Sequence, residues 1–278
     1  MQVYSSVAAL RAFRDAGRKV GRSVGLVPTM GALHAGHISL VKRCRAENDI
    51  VVTSVFVNPT QFNDPADLEK YPRTLDHDVA MLREAGCDAV FAPSVEEMYP
   101  QQDTRQFHFG PLEQVMEGVR RPGHFNGVAQ IVTKLFDIVC PDRAYFGEKD
   151  FQQLAIIRQM VKDQHYPIQI VPCPIVREAD GLAMSSRNTL LSADQRREVP
   201  LIAQTLFASR DMASKMTVRE LRDWVIGRIN ASPAMQVEYF EIVDRDTLQP
   251  VGDWTARPLQ GCIAVQVGTI RLIDNIAY

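Results

Sequence analysis

Residues 25–40 read Gly-Leu-Val-Pro-Thr-Met-Gly-Ala-Leu-His-Ala-Gly-His-Ile-Ser-Leu, and this stretch decides the fold. A short apolar strand over residues 24–28 ends at Pro28, a glycine-containing loop follows, and apolar residues recur at helical spacing from Ile38. A helix that begins there presents free backbone N–H groups and the positive end of its dipole to the loop. We therefore expect a phosphate site in which His34 and His37 donate hydrogen bonds and Gly36 permits close backbone approach.

The two histidines allow three interpretations: phosphate donors, polar residues at a helix start, or a zinc-binding pair. Zinc would need further ligands, and the sequence contains neither a second His-x-x-His nor a Cys-x-x-Cys. The five cysteines are widely spaced, which favours buried thiols in a reducing cytosol; they are Cys44, Cys87, Cys140, Cys173 and Cys262. The strand–loop–helix context favours phosphate, while the other two interpretations stay open.

Composition limits the class of protein. The chain has 278 residues, 46% hydrophobic and 23% charged, with a formal net charge of −2. These values are typical of a soluble globular protein with one large domain or two ordinary ones, and they do not favour a nucleic-acid partner. The sequence contains neither a signal-peptide pattern nor an apolar run near the ~18–20 residues that span a bilayer. We expect a cytoplasmic protein without a membrane partner.

Strand-like and helix-like segments alternate through the first two-thirds of the chain, which predicts βαβ units and a Rossmann-like parallel sheet. The predicted strands are residues 24–28, 49–57, 88–92, 143–146 and 168–171, and the predicted helices after the first loop include 74–85, 126–139 and 150–163. Helices over 192–214 and 217–230 follow, then strands over 237–243, 262–267 and 270–276, the last two joined by a turn at Gly268-Thr269. The pattern predicts an α/β domain over residues 1–175 and a smaller α+β domain over 176–278.

Two further motifs suit a polyphosphate. Gly147-Glu148-Lys149-Asp150 follows a strand and opens a helix, so Lys149 could act as a point charge on a triphosphate. Met184-Ser185-Ser186-Arg187 places two hydroxyls beside a permanent positive charge, which suits a leaving pyrophosphate. Taken alone, each motif is more typical of an exposed surface turn.

Amide side chains mark a possible second substrate site. Asn58 and Gln61 lie between Phe56 and Phe62, where they could hold a small hydroxy acid or simply form a structural turn. Two further segments are candidate site walls that could also be helix starts. They are residues 71–74, with Asp76 and Asp78, and residues 121–127.

The motifs together resemble the pantothenate synthetase (pantoate–β-alanine ligase) family. The resemblance rests on PTMGALHAGH, FVNPTQF, YPRT, RPGHFNGV, FGEKDFQQ and MSSRN, which occur in that family's order over roughly residues 25–190. The early His-x-Gly-His and the late Met-Ser-Ser loop also resemble the joint signature of the nucleotidylyl-transferase superfamily, which shares its core with class I aminoacyl-tRNA synthetases. The loop departs from the synthetase form Lys-Met-Ser-Lys-Ser, because Ala183 and Arg187 replace the two lysines.

The resemblance implies a reaction and a set of residues. Similar enzymes join (R)-pantoate to β-alanine with ATP and Mg2+, through a pantoyl adenylate, as homodimers; Mg2+ would be bound mainly through the ATP phosphates. The implied ATP site consists of Met30, Gly31, Ala32, Leu33, His34, Ala35, Gly36, His37, Gly147, Glu148, Lys149, Asp150, Val176, Met184, Ser185, Ser186 and Arg187. The implied catalytic residues are His34, His37 (as proton donor), Lys149, Ser185, Ser186 and Arg187. Gln61 and Gln153 correspond to pantoate ligands, Gln61 also to a β-alanine ligand, and Asn58 is a further substrate candidate.

Two other functions stay open at this stage. One is a different small-molecule adenylyltransferase or a shortened synthetase-like protein; the other is a non-catalytic nucleotide-binding protein. Product analysis separates the first from the pantoate reaction, and binding of ATP without turnover would indicate the second.

Overall fold

Runs of β-branched residues build a parallel sheet whose central strands are buried on both faces, as expected for a sheet covered by helices. The protein is described by a computed structural model covering residues 1–255 and 257–278. Within these residues the sheet has six parallel strands in the order β1-β4-β3-β2-β5-β6. The strands are β1 (Gln2–Tyr4), β2 (Val24–Thr29), β3 (Ile50–Val55), β4 (Ala89–Phe91), β5 (Arg143–Gly147) and β6 (Gln169–Cys173). The predicted α/β fold with a parallel sheet is confirmed.

Helices connect and follow these strands. In chain order they are α1 (Val7–Arg18), α2 (Ala35–Glu47), α3 (Pro65–Lys70), α4 (Leu75–Glu84), α5 (Val95–Met98), α6 (Met116–Arg120), α7 (His124–Val139), α8 (Phe151–Asp163), α9 (Ala193–Glu198), α10 (Pro200–Met212) and α11 (Val218–Asn230). Among the described residues, no helix combines the length and the apolar character that a bilayer span requires.

Two compact units emerge from the packing. Unit 1 comprises Met1–Phe109, Arg121–Glu148 and Ile156–Pro174, and unit 2 comprises Gly110–Arg120, Lys149–Ala155 and Ile175–Tyr278. The domain division at residues 175 and 176 stays a prediction. The packing units differ from it because two short segments from the first part of the chain belong to unit 2.

The order of the strands in unit 1 indicates the edge of the sheet where a ligand is expected. β2 lies between β3 and β5. The chain passes from β2 to β3 and β4 on one side of β2, and then to β5 and β6 on its other side. Open parallel sheets bind ligands at such a switch point, beyond the carboxyl ends of the strands. The loop after β2 carries the His-x-Gly-His motif, and Gly147 is the last residue of β5. The sheet therefore supports the sequence-based location of these motifs.

Close contact fixes α2 against the sheet. A Cβ at Gly25 would lie 2.3 Å from the Sγ of Cys44, so a larger side chain could not be accommodated without movement. Asn48, the residue after the helix, donates through Nδ2 to the Tyr145 hydroxyl at 2.7 Å. These contacts hold the helix that carries the two histidines at a set distance from β2.

Unit 2 contains an antiparallel sheet of three strands in the order β7-β8-β9. The strands are β7 (Met235–Asp244), β8 (Leu259–Val267) and β9 (Ile270–Ala277), and α10 and α11 pack on them around residues such as Leu206 and Phe240. The predicted β8–β9 hairpin is confirmed: Val267 pairs with Ile270, and Gly268 has a φ of 60°.

The structure corrects two sequence-based expectations. The single helix predicted over 192–214 is two helices, α9 and α10, because Pro200 begins the second one, and proline is well tolerated at a first helical position. The cysteines are free, but Cys140 is exposed while the other four are buried. The expectation that all five thiols are buried is therefore wrong for Cys140.

Candidate active site

The two histidines at the start of α2 cap the helix for each other. The Nδ1 of His34 accepts a hydrogen bond from the Gly36 N–H at 3.1 Å, and the Nδ1 of His37 accepts one from the His34 N–H at 3.3 Å. The ring centroids are 4.1 Å apart. An imidazole whose Nδ1 accepts from an amide has its proton on Nε2. Both rings can therefore donate through Nε2, beside the positive end of the helix dipole.

A buried carboxylate holds the loop that leads to these histidines. Asp78, in α4, is 0% exposed, and its two oxygens accept from the backbone N–H groups of Ala32 at 3.0 Å and Leu33 at 2.8 Å. Thr74 donates its hydroxyl to the same carboxylate at 3.1 Å. Gly31 and Ala32 have φ angles of 80° and 49°, a conformation that L-residues rarely adopt. Asp78 thus stabilises a strained turn.

Gln61 lies in a network of amide and hydroxyl groups in unit 1. The Nδ2 of Asn58 donates to the Oε1 of Gln61 at 3.1 Å, and the Nε2 of Gln61 donates to the Met30 sulfur at 3.1 Å. The structure therefore brings Gln61, a predicted pantoate ligand, next to Met30, a predicted ATP-site residue. His124 interacts through Nδ1 with the Gln61 carbonyl at 2.8 Å, which fixes the backbone as well.

Asn58 is enclosed by this network. It is 1% exposed, and its Oδ1 accepts from Tyr99 at 2.7 Å and Thr60 at 3.2 Å. Its amide donates to Gln61 and to the Gly127 carbonyl at 3.2 Å. These bonds use the donor and acceptor positions of the side chain, so the structure gives Asn58 the role of orienting Gln61. Direct contact of Asn58 with substrate stays a prediction.

Tyr99 is a member of this network that the sequence reasoning missed. Burial raises the pKa of its hydroxyl, so it stays a hydrogen-bond donor at neutral pH. The Lys134 ammonium lies 5.0 Å from the ring centroid. No short motif marks this residue, since it lies 41 positions from Asn58, at the end of a four-residue helix.

In unit 2, two adjacent glutamines at the start of α8 have different surroundings. Gln152 is 4% exposed; its Nε2 donates to the carbonyls of Leu112 and Val115, and its Oε1 accepts from the Glu117 N–H. Gln153 is partly exposed. Gln152 therefore anchors α8, whereas contact of the partly exposed Gln153 with pantoate stays a prediction.

The serine–arginine motif begins a short 3-10 helix over Ser186–Leu190. Ser185 caps this helix by accepting from the Arg187 N–H at 3.3 Å. The preceding segment folds back on itself, because the Met184 N–H donates to the Val176 carbonyl at 3.0 Å and Arg177 pairs with Ala183. Val176 and Met184, both predicted ATP-site residues, thus lie side by side. Ser185, Ser186 and Arg187 are all partly exposed.

The chemistry of the donors indicates how a metal ion could enter the site. Within 1–255 and 257–278, no group of three or more His, Cys, Asp or Glu side chains is arranged to hold a metal ion. The predicted donors are imidazole groups in unit 1 and ammonium, hydroxyl and guanidinium groups in unit 2, all of which suit anions. They fit a metal that arrives bound to phosphate oxygens rather than one held by a protein cage.

Comparison with known proteins shows similarity to one family along nearly the whole chain. The sequence profile described as Pantoate-beta-alanine ligase matches residues 2–277. The chain belongs to this family. It is 60% identical to the pantothenate synthetase of Bacteroides thetaiotaomicron over 100% of this chain and 99% of that protein, and 56% identical to that of Porphyromonas gingivalis strain W83 over the same shares.

Solved structures of the family have the same fold. The pantothenate synthetase of Thermus thermophilus superposes with a TM-score of 0.93 at 48% identity and covers 99% of both chains. The pantoate–β-alanine ligase of Francisella tularensis superposes with a TM-score of 0.84 at 33% identity, over 99% of this chain and 97% of that one. That structure was solved in complex with beta-gamma ATP and beta-alanine.

Proposed function

We propose that this protein condenses (R)-pantoate with β-alanine to give pantothenate, using ATP and releasing AMP and pyrophosphate. The observation that carries the proposal is the start of α2, where each imidazole accepts a backbone N–H at Nδ1 and so has its proton on Nε2, a donor suited to an anion. Membership of the pantoate–β-alanine ligase family supports this reaction.

The first step joins two negatively charged reactants. A carboxylate oxygen of pantoate attacks the α-phosphorus of ATP, the bond from that phosphorus to the bridging oxygen breaks, and the electron pair leaves with pyrophosphate. The product is pantoyl adenylate. The substrate carboxylate is the nucleophile, so the residues must bring the reactants together and stabilise the charge that develops on the leaving group.

Donors in each of the two units suit that task. His34 and His37 would donate through Nε2, with His37 as the proton donor to the leaving group; Lys149 and Arg187 would supply positive charge, and Ser185 and Ser186 hydroxyl donors. The proposed ATP-binding set also includes Met30, Gly31, Ala32, Leu33, Ala35, Gly36, Gly147, Glu148, Asp150, Val176 and Met184. Removal of one such preorganised donor typically lowers the rate by about 10²–10³.

The second step forms the amide bond. The β-alanine amine attacks the acyl carbon of the adenylate, the bond between that carbon and the phosphate oxygen breaks, AMP leaves, and the nitrogen loses a proton. Gln61 would hold pantoate and then β-alanine, and Gln153 would hold pantoate. The Asn58–Tyr99 network supports this role because it fixes the orientation of the Gln61 amide.

Mg2+ would be bound through the phosphate oxygens of ATP, where it neutralises charge on the triphosphate. The anion-binding character of the donors in the candidate site supports this mode of binding. We further propose that the protein acts as a homodimer in the cytoplasm. The family resemblance supports the dimer, and the free cysteines are compatible with a reducing compartment.

An ATP–pyrophosphate exchange assay tests the reaction. Labelled pyrophosphate should enter ATP when pantoate is present, and AMP should accumulate only when β-alanine is added as well. Pantolactone is the matched control, because it keeps the carbon skeleton but lacks the free carboxylate and should not support exchange. Exchange without pantoate would indicate a different adenylyltransferase, and ATP binding without turnover would indicate a non-catalytic protein.

A further inference from the structure

The last strand of unit 2 contains two adjacent polar residues that are almost completely buried. Asp274 and Asn275 are each 4% exposed, in a strand whose other members include Ile270, Leu272 and Ile276. Buried polar side chains need hydrogen-bond partners. The main partners of Asp274 and Asn275 are Arg177 and Lys149, which lie 97 and 126 residues earlier in the chain. Both partners belong to segments that the proposed function assigns to ATP.

Asn275 contacts the backbone of Lys149. Its Nδ2 donates to the Lys149 carbonyl at 2.9 Å, and its Oδ1 accepts from the Nε2 of Gln260 at 2.7 Å. The carbonyl accepts only, so the amide nitrogen of Asn275 must face it. The hydrogen-bond ladder of α8 begins one residue later, where the Asp150 carbonyl accepts from the Leu154 N–H at 2.9 Å. Asn275 thus fixes the residue just outside the helix.

Asp274 forms a bidentate ion pair with Arg177. The two N–O distances are 2.7 Å and 2.9 Å, and the side chains are 3% and 19% exposed. The same guanidinium donates to the Gly181 carbonyl at 3.0 Å. Arg177 therefore links the start of the folded segment 176–184 to Gly181, near the end of that segment. The segment continues into the serine–arginine motif.

The two contacts are joined to each other. The Asn275 N–H donates to the Asp274 carboxylate at 2.7 Å, and the Arg177 guanidinium donates to the Asn275 carbonyl at 3.4 Å. Burial raises the pKa of Asp274, while the charges of Arg177 and Lys149 act in the opposite direction. One cluster, formed by the buried Asp274 and Asn275 and the partly exposed Arg177, thus links the Lys149 backbone to the segment before Met184.

We propose that Asn275 is a positioning residue for Lys149, and that the Arg177–Asp274 pair couples this contact to the segment leading into Met184–Arg187. The inference rests on the proposed function, because it gives the cluster a role in turnover of ATP. Holding the Lys149 carbonyl holds its Cα and so the origin of the side chain. A shift of about 1 Å at a reacting centre can lower the rate by about 10².

A double-mutant cycle separates positioning from simple stabilisation of the fold. Asn275→Ala should lower kcat for pantoate-dependent exchange by about tenfold or more, with a smaller change in the KM for ATP. In the Lys149→Ala background, the same substitution should lower kcat by no more than about twofold, because the group it positions is gone. A purely structural residue would lower thermal stability equally in both backgrounds and leave kcat unchanged.

Ser209→Ala is the matched control in the same unit. Ser209 is buried, and its hydroxyl interacts with the Leu206 carbonyl and the Tyr278 hydroxyl, both at 2.6 Å and both outside the Lys149 and Arg177 contacts. The substitution should lower the melting temperature without changing kcat. Asn275→Asp provides a second, isosteric variant if the alanine variant folds poorly; it keeps the acceptor for Gln260 and loses the donor to Lys149, so kcat should again fall.

The outcomes are distinct. An unmodified protein without pantoate-dependent exchange would overturn the proposed function and this inference with it. An active protein in which both Asn275 variants keep their kcat would overturn the inference alone. The inference alone would also be overturned if the kcat of the double variant fell by the product of the two single-variant factors, because Asn275 would then act independently of Lys149.

Discussion

The candidate phosphate-binding segments of the two units are held in place in different ways. In unit 1, His34 and His37 cap one helix through backbone groups no more than three residues away. In unit 2, Lys149 and Arg177 are fixed by side chains that are 126 and 97 residues distant. A site of the first kind is visible in a short motif, whereas a site of the second kind exists only after the chain has folded.

The turn before the histidines in unit 1 is also held by a long-range contact. Asp78 accepts hydrogen bonds from the N–H groups of Ala32 and Leu33 in this turn, which lie 46 and 45 residues earlier in the chain. The helix cap and this carboxylate act on adjacent parts of the same loop, so their contributions can be separated by substitution.

The largest effect is expected at His37. His37→Ala removes the Nε2 donor and the acceptor for the His34 N–H, so pantoate-dependent pyrophosphate release should fall by about 10²–10³. Loss of the cap should also lower the free energy of unfolding by about 0.5–2 kcal/mol. Steady-state pyrophosphate release and urea denaturation measure the two effects.

His37→Gln is the control for the cap. Glutamine three residues after the N-cap can reach back to the N-cap N–H, so it should restore most of the stability but none of the rate. A glutamine variant as active as the unmodified protein would show that the imidazole serves only the local helix cap.

A smaller effect is expected at Asp78. Asp78→Asn keeps the shape but turns an amide NH2 group toward a backbone N–H, which should lower the free energy of unfolding by about 1–3 kcal/mol. The distorted turn should also lower kcat by about tenfold or more. Thr74→Ala removes only the hydroxyl bond to the same carboxylate and should change both quantities much less. Equal effects of the two substitutions would contradict the role assigned to the backbone contacts.

The smallest effect is expected for the exposed ion pairs of unit 2. Arg196 donates to Asp180 at 2.5 Å and to Glu178 at 2.7 Å, and this lowers the pKa of the Asp180 carboxyl. Because the folded pKa lies below the unfolded value, this contribution is present above about pH 4 and is lost as the pH falls. The pair is partly exposed, so the change should be about 0.2–1 kcal/mol.

Asp180→Asn should remove that part of the acid dependence in urea titrations between about pH 4 and pH 2. Asp194→Asn is the matched control, since its pair with Arg197 is still more exposed. An Asp180 variant with the acid sensitivity of the unmodified protein would show that this pair adds nothing to the segment between Val176 and Met184.

Most of the sheet was predictable because its strands are short apolar runs that end at proline or glycine. The sequence patterns predicted neither β1 nor the break between α9 and α10. The strand β1 has only three residues, two of them exposed, so it has no apolar pattern. The break before Pro200 was missed because the apolar spacing continues across it and only the proline marks the new helix. Among the candidate functional residues, the histidines of unit 1 and Lys149 of unit 2 belong to motifs, whereas Tyr99 and Asn275 belong to none.

The sequence by itself determined the family and the parallel sheet, and it predicted an anion site at the start of α2. These follow from apolar periodicity and from helix-end chemistry, which act over a few residues. The tertiary structure decided which polar residues orient others: Asp78 for the turn, Asn58 for Gln61, and Asn275 for the Lys149 backbone. Such roles depend on hydrogen bonds between distant segments, because only folding buries both partners together and makes each bond necessary.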